Sequence, residues 1–420
     1  MTDTSLSATP LDLAFHPTED IVYTSLLNGE VLCFLYAEDG STTLKWKTRP
    51  SKKSCRAIDI TADGSHLWCG YKSGNIYILK TDSGAVVKEI AHAHESPINR
   101  ILVLGTAFKQ VVTGDDDGVV KIWDTQKLAL EDVESPLRSY VHHTDYISDF
   151  CWLEDKKHLV ATSGDGTLSV MDVRSTKATP LAQSEDQEDE LLSIVPIKGG
   201  KRLAVGTQLG PITIFDRKRG YGDCIDRFLG HPHSVETLAV ISGGSQLTQD
   251  VVATGSSDGL IRVVQLLPSK FLGVIAAHGN SQDEQSPGEG FPVERIKVDR
   301  NGKWLGSISH DDVLKLTDIE GALEGSDEED AQESDEQAEE RERIEQSEES
   351  DDEFEPKAAT PRVVPQEVDN AEEASDSSSL PPKESRAEKK RRKKQMKREE
   401  AKRQKRARDG AATSTFFDDL

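Results

Sequence analysis

Val111–Thr125 reads VVTGDDDGVVKIWDT. Two β-branched residues, Val111 and Val112, open it, Asp117-Gly118 is a tight-turn dipeptide, and Val119 to Trp123 alternates apolar with polar before stopping at Asp124. That pattern predicts a β-hairpin.

Aligned on the turn glycine, the same shape recurs at Gly29 in SLLNGEVLCFLY, Gly74 in GYKSGNIYILK, Gly166 in TSGDGTLSVMD, Gly210 in GTQLGPITIFD and Gly259 in GSSDGLIRVVQ. A seventh copy, ISHDDVLKLTD, puts Asp312 where glycine would sit. The intervals along this series are 45, 44, 48, 44, 49 and 53 residues, close to the roughly 40 to 45 of a four-stranded propeller blade, with loop insertions in the longer ones. The chain is therefore expected to be all-β, a seven-bladed propeller over residues 1–319. Outer strands are expected at Leu44–Lys47, Val86–Ile90, Leu137–Val141, Cys224–Leu229 and Phe271–Ile275. A closed propeller needs a strand from the other chain end, and Ser5-Leu6-Ser7 is the candidate.

The third unit resembles a WD repeat. In that family a leading His, a Ser or Thr on the second strand, an Asp in the turn and a Trp on the third strand pin the blade, and His94, Thr113, Asp117 and Trp123 match that set. Each would otherwise be a buried unpaired group costing about 1–3 kcal/mol, so the role is structural. Met171, Phe215, Val264 and Thr317 stand at the Trp position elsewhere, and His143, His231 and His278 are the further leading-His candidates. Blades one, two and five depart furthest from the pattern.

The five cysteines, Cys33, Cys55, Cys69, Cys151 and Cys224, are scattered and lack CxxC spacing, which supports neither a disulfide framework nor a zinc site. No run of 18 apolar residues and no signal-like opening occurs, so no membrane partner is expected. GxxxxGK[ST], HExxH and GxSxG are absent, and no acid, base or nucleophile constellation points to an enzyme, a cofactor or a small-molecule substrate. Asp115, Asp116 and Asp117 lack the order of an EF-hand loop and read as a hairpin turn. His142-His143 with Asp145 falls where a blade's leading His belongs rather than marking a metal. Two polar stretches, Gln183–Glu190 and Gly279–Gly290, read as solvated insertions.

The formal charge of -24 is unevenly spread. Glu320 to Leu380 holds 24 acidic against 4 basic residues, whereas Lys383 to Arg408 holds 15 basic against 4 acidic. Residues 320–382 lack the apolar surface to offset chain entropy and are expected to be disordered. Within them Ser326 and Ser350 precede acidic runs that acidophilic kinases favour, where phosphate would deepen the negative field. Residues 383–410 form a basic arm in which Lys389, Lys390, Arg391, Arg392, Lys393 and Lys394 fit a nuclear-import signal. With Lys397, Arg398, Lys402, Arg403, Lys405, Arg406 and Arg408 they would also attract RNA phosphates. The acidic segment is expected to compete for that arm within the molecule. Residues 411–420 end in FFDDL, with Phe416 and Phe417 as a candidate partner motif.

Taken together, LDLAFHPTEDIVYTSLLNGEVLCFLY (11–36), GDDDGVVKIWDT (114–125), the acidic-then-basic tail with KKRRKKQ (389–395) and the terminal FFDDL resemble the family of WD repeat-containing protein fifty-five and its fungal counterpart Jip-five. The resemblance implies a nuclear, mainly nucleolar protein that supports ribosome production through ribosomal RNA processing and large-subunit assembly. Its partners would be proteins of pre-ribosomal particles, met on the top face and central channel, and pre-ribosomal RNA, met by the arm; by itself it would be monomeric. A different class is also open. Met171-Asp172-Val173-Arg174 resembles the WDxR ending by which some WD proteins dock on the adaptor of cullin-four ubiquitin ligases, which would give Asp172 and Arg174 a docking role.

Overall fold

The computed structural model describes residues 2–105, 109–125, 135–241, 250–279 and 290–320. Within them lie seven four-stranded antiparallel sheets, the blades of a propeller. Six are built from consecutive strands, spanning 10–48, 55–90, 98–140, 147–183, 191–228 and 235–277. The seventh joins Val293–Val298, Trp304–Ser309 and Val313–Asp318 to Thr2–Ser5 from the start of the chain.

The hairpin at Val111–Thr125 is present as strands Gln110–Asp115 and Val120–Asp124, with Val111 opposite Trp123. Its register repeats without exception. In every blade the residue seven before the turn position pairs with the residue five after it: Val22 with Phe34, Leu67 with Leu79, Val111 with Trp123, Leu159 with Met171, Leu203 with Phe215, Val252 with Val264 and Leu305 with Thr317. All of these side chains are buried, each apolar one contributing about 1.5–3 kcal/mol. The turn position requires positive φ, which glycine adopts without a steric penalty. Gly74 sits at φ +79°, and a Cβ there would lie 2.1 Å from the His94 carbonyl oxygen. Asp312 takes the same left-handed conformation at φ 58°, which an Asp tolerates better than most residues.

Each blade is too thin to bury its own faces, so the cores lie between neighbours. Leu13, Val22 and Phe34 of blade one, for example, pack on Trp304, Ile308 and Leu314 of blade seven. Side chains at the inner edge tie adjacent blades together: Asp12 accepts from the Ile58 N–H (2.9 Å), Asp59 from Val103 (2.6 Å), Asp149 from Ile194 (3.3 Å) and Thr237 from Ile296 (3.2 Å).

Two local expectations are corrected, and one outer strand that the sequence did not mark is added. The closing strand is Thr2–Ser5 rather than Ser5-Leu6-Ser7, with Thr2 opposite Leu316 and Ser5 opposite Val313. Leu6 has left the ladder, its N–H donating to the Asp312 carbonyl (2.8 Å) while its side chain packs on the core between blades seven and one. The outer strand of blade four is only Ala182–Gln183, too short for any alternation to mark it. Gln183–Glu190 is not simply a solvated insertion, since Ser184 and Gln187 are buried. The Ser184 hydroxyl oxygen accepts from the Leu168 N–H (3.0 Å), and the Gln187 N–H donates to the Gly166 carbonyl (3.0 Å). Of the second insertion, residues 280–289 lie outside the described residues.

Candidate binding site at the mouth of the central channel

The loops of one face are held by buried histidines. In blade three the Trp123 indole N–H donates to Thr113 Oγ1 (2.9 Å), Thr113 meets His94 Nε2 (2.6 Å), and His94 Nδ1 meets Asp115 Oδ2 (2.7 Å). One proton assignment satisfies all three contacts: the Thr113 hydroxyl donates to Nε2, and Nδ1–H donates to the carboxylate. Burial pulls the His94 pKa down against Asp115, which keeps the ring neutral. The carboxylate is Asp115, not Asp117. Asp117 is exposed, and its own N–H donates to Asp115 Oδ1 (3.1 Å).

The other leading histidines vary the theme. His143 bridges Asp165 (3.0 Å) and Ser169 (2.8 Å), and His278 bridges Asp311 (2.8 Å) and Ser307 (2.8 Å). His231 reaches Thr254 (2.8 Å), but Asp258, the turn Asp of its blade, is held bidentately by Arg262 (3.1 and 2.7 Å), and His231 Nδ1 has no partner among the described residues. Its pKa falls to about 4 through burial.

The same face opens on the central channel. Every inner strand begins with a one-residue irregularity, at Pro10/Asp12, Cys55/Ala57, Ile98/Arg100, Ile147/Asp149, Leu191/Ser193, Val235/Thr237 and Val293/Arg295. A bulge leaves one residue unpaired and re-aims its side chain. The seven residues so released are Leu11, Arg56, Asn99, Ser148, Leu192, Glu236 and Glu294, and all seven line one cavity of about 350 Å³, with Tyr146 and Asp116 beside them. One step further in, the channel is filled by charge. Arg295 Nε lies 3.1 Å from Asp12, its Nη1 reaches across to Asp149 (3.5 Å), and Arg100 lies 3.8 Å from Asp149. The cavity is thus a cup with an ion-paired floor.

Its electrostatics are lopsided. Burial opposes the charge of Arg295, but Asp149 and Asp12 outweigh it and raise its pKa. Burial, then Arg295, lowers that of Arg100. On the wall formed by blades six and seven, burial raises the Glu236 carboxyl, with Ser234 opposing and Glu294 reinforcing. Glu294 in turn raises His310, whose Nε2 lies 2.5 Å from it.

Sequence reasoning missed this cup because its members come from seven blades. The available signal was a polar or charged residue second or third in an otherwise apolar inner strand, as at Asp12, Arg100, Asp149 and Arg295. Asp172 and Arg174 meet each other, Arg174 Nε and Nη2 donating to Asp172 Oδ1 and Oδ2 (2.9 and 2.7 Å), while Met171 beside them is wholly buried. Ser326, Ser350, the basic residues of Lys389–Arg408, Phe416 and Phe417 lie outside the described residues. Among the described residues, no three His, Cys, Asp or Glu side chains are placed to hold a metal ion. A second cavity, 470 Å³, opens on the opposite face between blades two and three, walled by Trp68, Ile78, Val103 and Leu104.

Seven blades, three of them pinned by His–Ser/Thr–Asp networks, around a plugged channel define a WD-repeat propeller, a class built for protein–protein interaction. Within that class the chain belongs to the WDR55 family, whose profile matches residues 1–322. It is 49% identical over 332 residues to WD repeat-containing protein JIP5 of Cryptococcus neoformans, covering 77% of this chain and 82% of that one. To WD repeat-containing protein 55 of Arabidopsis thaliana it is 34% identical over 322 residues (76% and 83% covered). To that of Mus musculus it is 34% identical over 318 residues (76% and 75%).

Proposed function

We propose that this protein is a non-catalytic scaffold of the nucleolus that docks partner proteins on its histidine-pinned face during ribosomal RNA processing and large-subunit assembly. The observation that carries the docking is the ring of seven bulged residues around the cup. A fixed backbone device repeated in every blade delivers one side chain from each to a common point, which suits recognition and supplies no nucleophile with a base. Around it the same loops expose large apolar side chains, Leu27, Val141, Leu209, Leu229 and Phe291, the composition of a contact surface. The ribosomal setting rests on the sequence resemblance and on the arm of 15 basic residues in Lys383–Arg408, suited to phosphate contacts without base specificity.

The test is sedimentation of nuclear extract on a gradient, with precursor ribosomal RNA measured after depletion of the protein. Co-migration with large-subunit precursors and accumulation of unprocessed RNA are expected. A protein that stays at the top of the gradient, with unchanged processing, refutes the reading. Ultraviolet crosslinking then separates arm from propeller, comparing the full chain with one lacking Lys383–Arg408 but carrying a substitute import signal. Precursor RNA recovered only with the full chain assigns the contact to the arm.

A further inference from the structure

The outer strand of blade one and the loop that follows it carry charge of one sign. Residues 41–56, STTLKWKTRPSKKSCR, hold six basic and no acidic side chains, although residues 1–319 as a whole hold 44 acidic against 32 basic. Along strand Thr42–Thr48 exposure alternates once Lys45 has been released by a one-residue bulge: Lys45, Lys47 and Arg49 are exposed, while Trp46 and Thr48 between them are half-buried. Trp46 fixes the phase, its indole N–H donating to the Thr81 carbonyl of blade two (2.9 Å) and its ring lying 5.8 Å from that of Tyr23. Side chains two residues apart on a strand are about 7 Å apart, so the three cations form an evenly spaced row.

The row continues onto the histidine-pinned face. Loop 51–54 lies across the turn at Gly29, where an added Cβ would meet the Ser51 carbonyl oxygen at 2.2 Å, and it exposes Lys52 and Lys53. The Lys72 N–H donates to the Ser54 carbonyl (2.9 Å), which brings a further exposed lysine alongside. The next cation, Arg56, stands at the mouth of the cup and is paired with Asp116 (3.1 Å). The six exposed cations leading to it are not matched in this way. Among the described residues Glu30 is the one acid within 4.0 Å of any of them, 3.9 Å from Lys47; its carboxyl is held low first by Ser7 and Asn28, with Lys47 and Arg49 adding to the effect. Like charges so placed repel one another unless a polyanion lies among them. Lysines on an edge strand also deter pairing with other sheets, but this row runs past the strand end at Thr48 into a loop with no edge to guard.

We propose that this row is a track for the phosphate backbone of single-stranded RNA, running from the outer edge of blade one up to the mouth of the cup. It rests on the reading above that sets the protein among pre-ribosomal RNA, and it adds a contact on the propeller to the one given to the arm. The spacing of the row is comparable with that of successive phosphates along an RNA strand, and each lysine supplies a point charge that accepts any base sequence. From Lys45 to Lys53 no large apolar side chain is exposed, whereas the centre of a protein–protein contact is depleted in charge and enriched in aromatic residues. The one ring in the stretch, Trp46, is engaged with blade two, so the contact is with phosphate rather than with stacked bases.

The experiment measures binding of a fluorescent oligouridylate dodecamer to the full-length protein by anisotropy over a series of salt concentrations, and maps the contact by ultraviolet crosslinking and mass spectrometry of the same complex. Crosslinks are expected within residues 43–56 as well as in the arm. The variant Lys45→Gln/Lys47→Gln/Arg49→Gln/Lys52→Gln/Lys53→Gln should bind at least about tenfold more weakly, with a salt slope shallower by at least about 2, three contacts at about 0.7 each. The control, Lys156→Gln/Lys177→Gln/Lys201→Gln/Lys218→Gln/Arg219→Gln, removes the same charge from exposed side chains of the opposite face and should keep the slope. An oligoglutamate of matched charge should bind more weakly than the RNA. The arm and the acidic segment 320–382 are common to all these proteins, so the difference between them reports on the row. The crosslink map is made on unaltered protein and does not depend on how the variants fold. Crosslinks confined to Lys383–Arg408, an unchanged slope, an equal loss in the control, or oligoglutamate bound as tightly as RNA each overturn the proposal. Gradient co-migration that persists alongside such a result would remove the track and leave the scaffold reading standing.

Discussion

Replacing Arg295 by methionine tests whether the channel floor is a structural plug. The Arg295 and Asp12 side chains are 5% and 4% exposed, and the guanidinium lies 3.1 Å from Asp12 and 3.5 Å from Asp149. Methionine keeps most of the length and apolar contact, so the change isolates the lost charge. Removing one member of a buried ion pair costs about 3–5 kcal/mol, because the survivor stays desolvated and uncompensated. Asp12 keeps donors from the Leu13 and Ile58 N–H groups (both 2.9 Å), and Asp149 keeps Arg100 and the Ile194 N–H. The expectation therefore falls at the lower end, about 3 kcal/mol, a large share of the roughly 5–15 kcal/mol that holds a typical domain together. Urea unfolding followed by tryptophan fluorescence gives the cost as a shift of the midpoint at constant slope. Adding Asp12→Asn should cost at least about 1 kcal/mol less than the sum of the singles. A cost below about 1 kcal/mol for Arg295→Met, or strict additivity, would refute the plug.

Gly74→Ala should destabilise by at least about 2 kcal/mol, combining the left-handed backbone penalty with a Cβ driven into the His94 carbonyl; Asp312→Gly should instead raise the melting temperature, and equal effects at the two turns would contradict the shared geometry. His310 gives a pH signature. Glu294 raises its pKa above the unfolded value, so its contribution is fully present below about pH 6.5 and lost as pH rises through the folded pKa. The stability difference between wild type and His310→Gln should follow that course, and a difference that grows with pH would reverse the assignment. Arg174→Ala removes an exposed side chain bonded, among the described residues, to Asp172 alone and should leave the melting temperature unchanged. Continued co-purification of the cullin-four adaptor with that variant would show that Arg174 does not mediate such docking.

How much of this was legible depends on how local the governing interaction is. Blade number and register follow from turns only a few residues long, so seven glycine or aspartate positions mark all seven hairpins even where Met171, Phe215 or Thr317 replaces tryptophan. The choice among Asp115, Asp116 and Asp117 is not local. It depends on where His94, some 21 residues earlier, brings its ring, and three adjacent aspartates look alike until that contact forms. The closing strand was misplaced by two to three residues because an edge strand exposed on one side needs no apolar residue: Thr2–Ser5 is wholly polar, and Leu6 packs outside it. The cup left only a faint trace, the polar third residue of an inner strand, and its assembly was hidden for a sharper reason. Asp12 and Arg295 are 283 residues apart, and the one-residue bulge that aims each rim side chain inward has no sequence signature of its own.

The strand Thr2–Ser5 also sets a schedule. It is the first of the described strands to be synthesised, yet its partner Val313–Asp318 is the last of them. At about 5–20 residues per second, the opening residues wait roughly 15 to 60 s before the ring can shut. Throughout that interval blade one presents an uncovered flank, Leu13, Val22, Leu32 and Phe34, which packs on blade seven in the finished molecule. The nascent propeller is thus an open arc with a sticky leading edge, and its yield in a cell depends on what shields that edge until the last blade arrives.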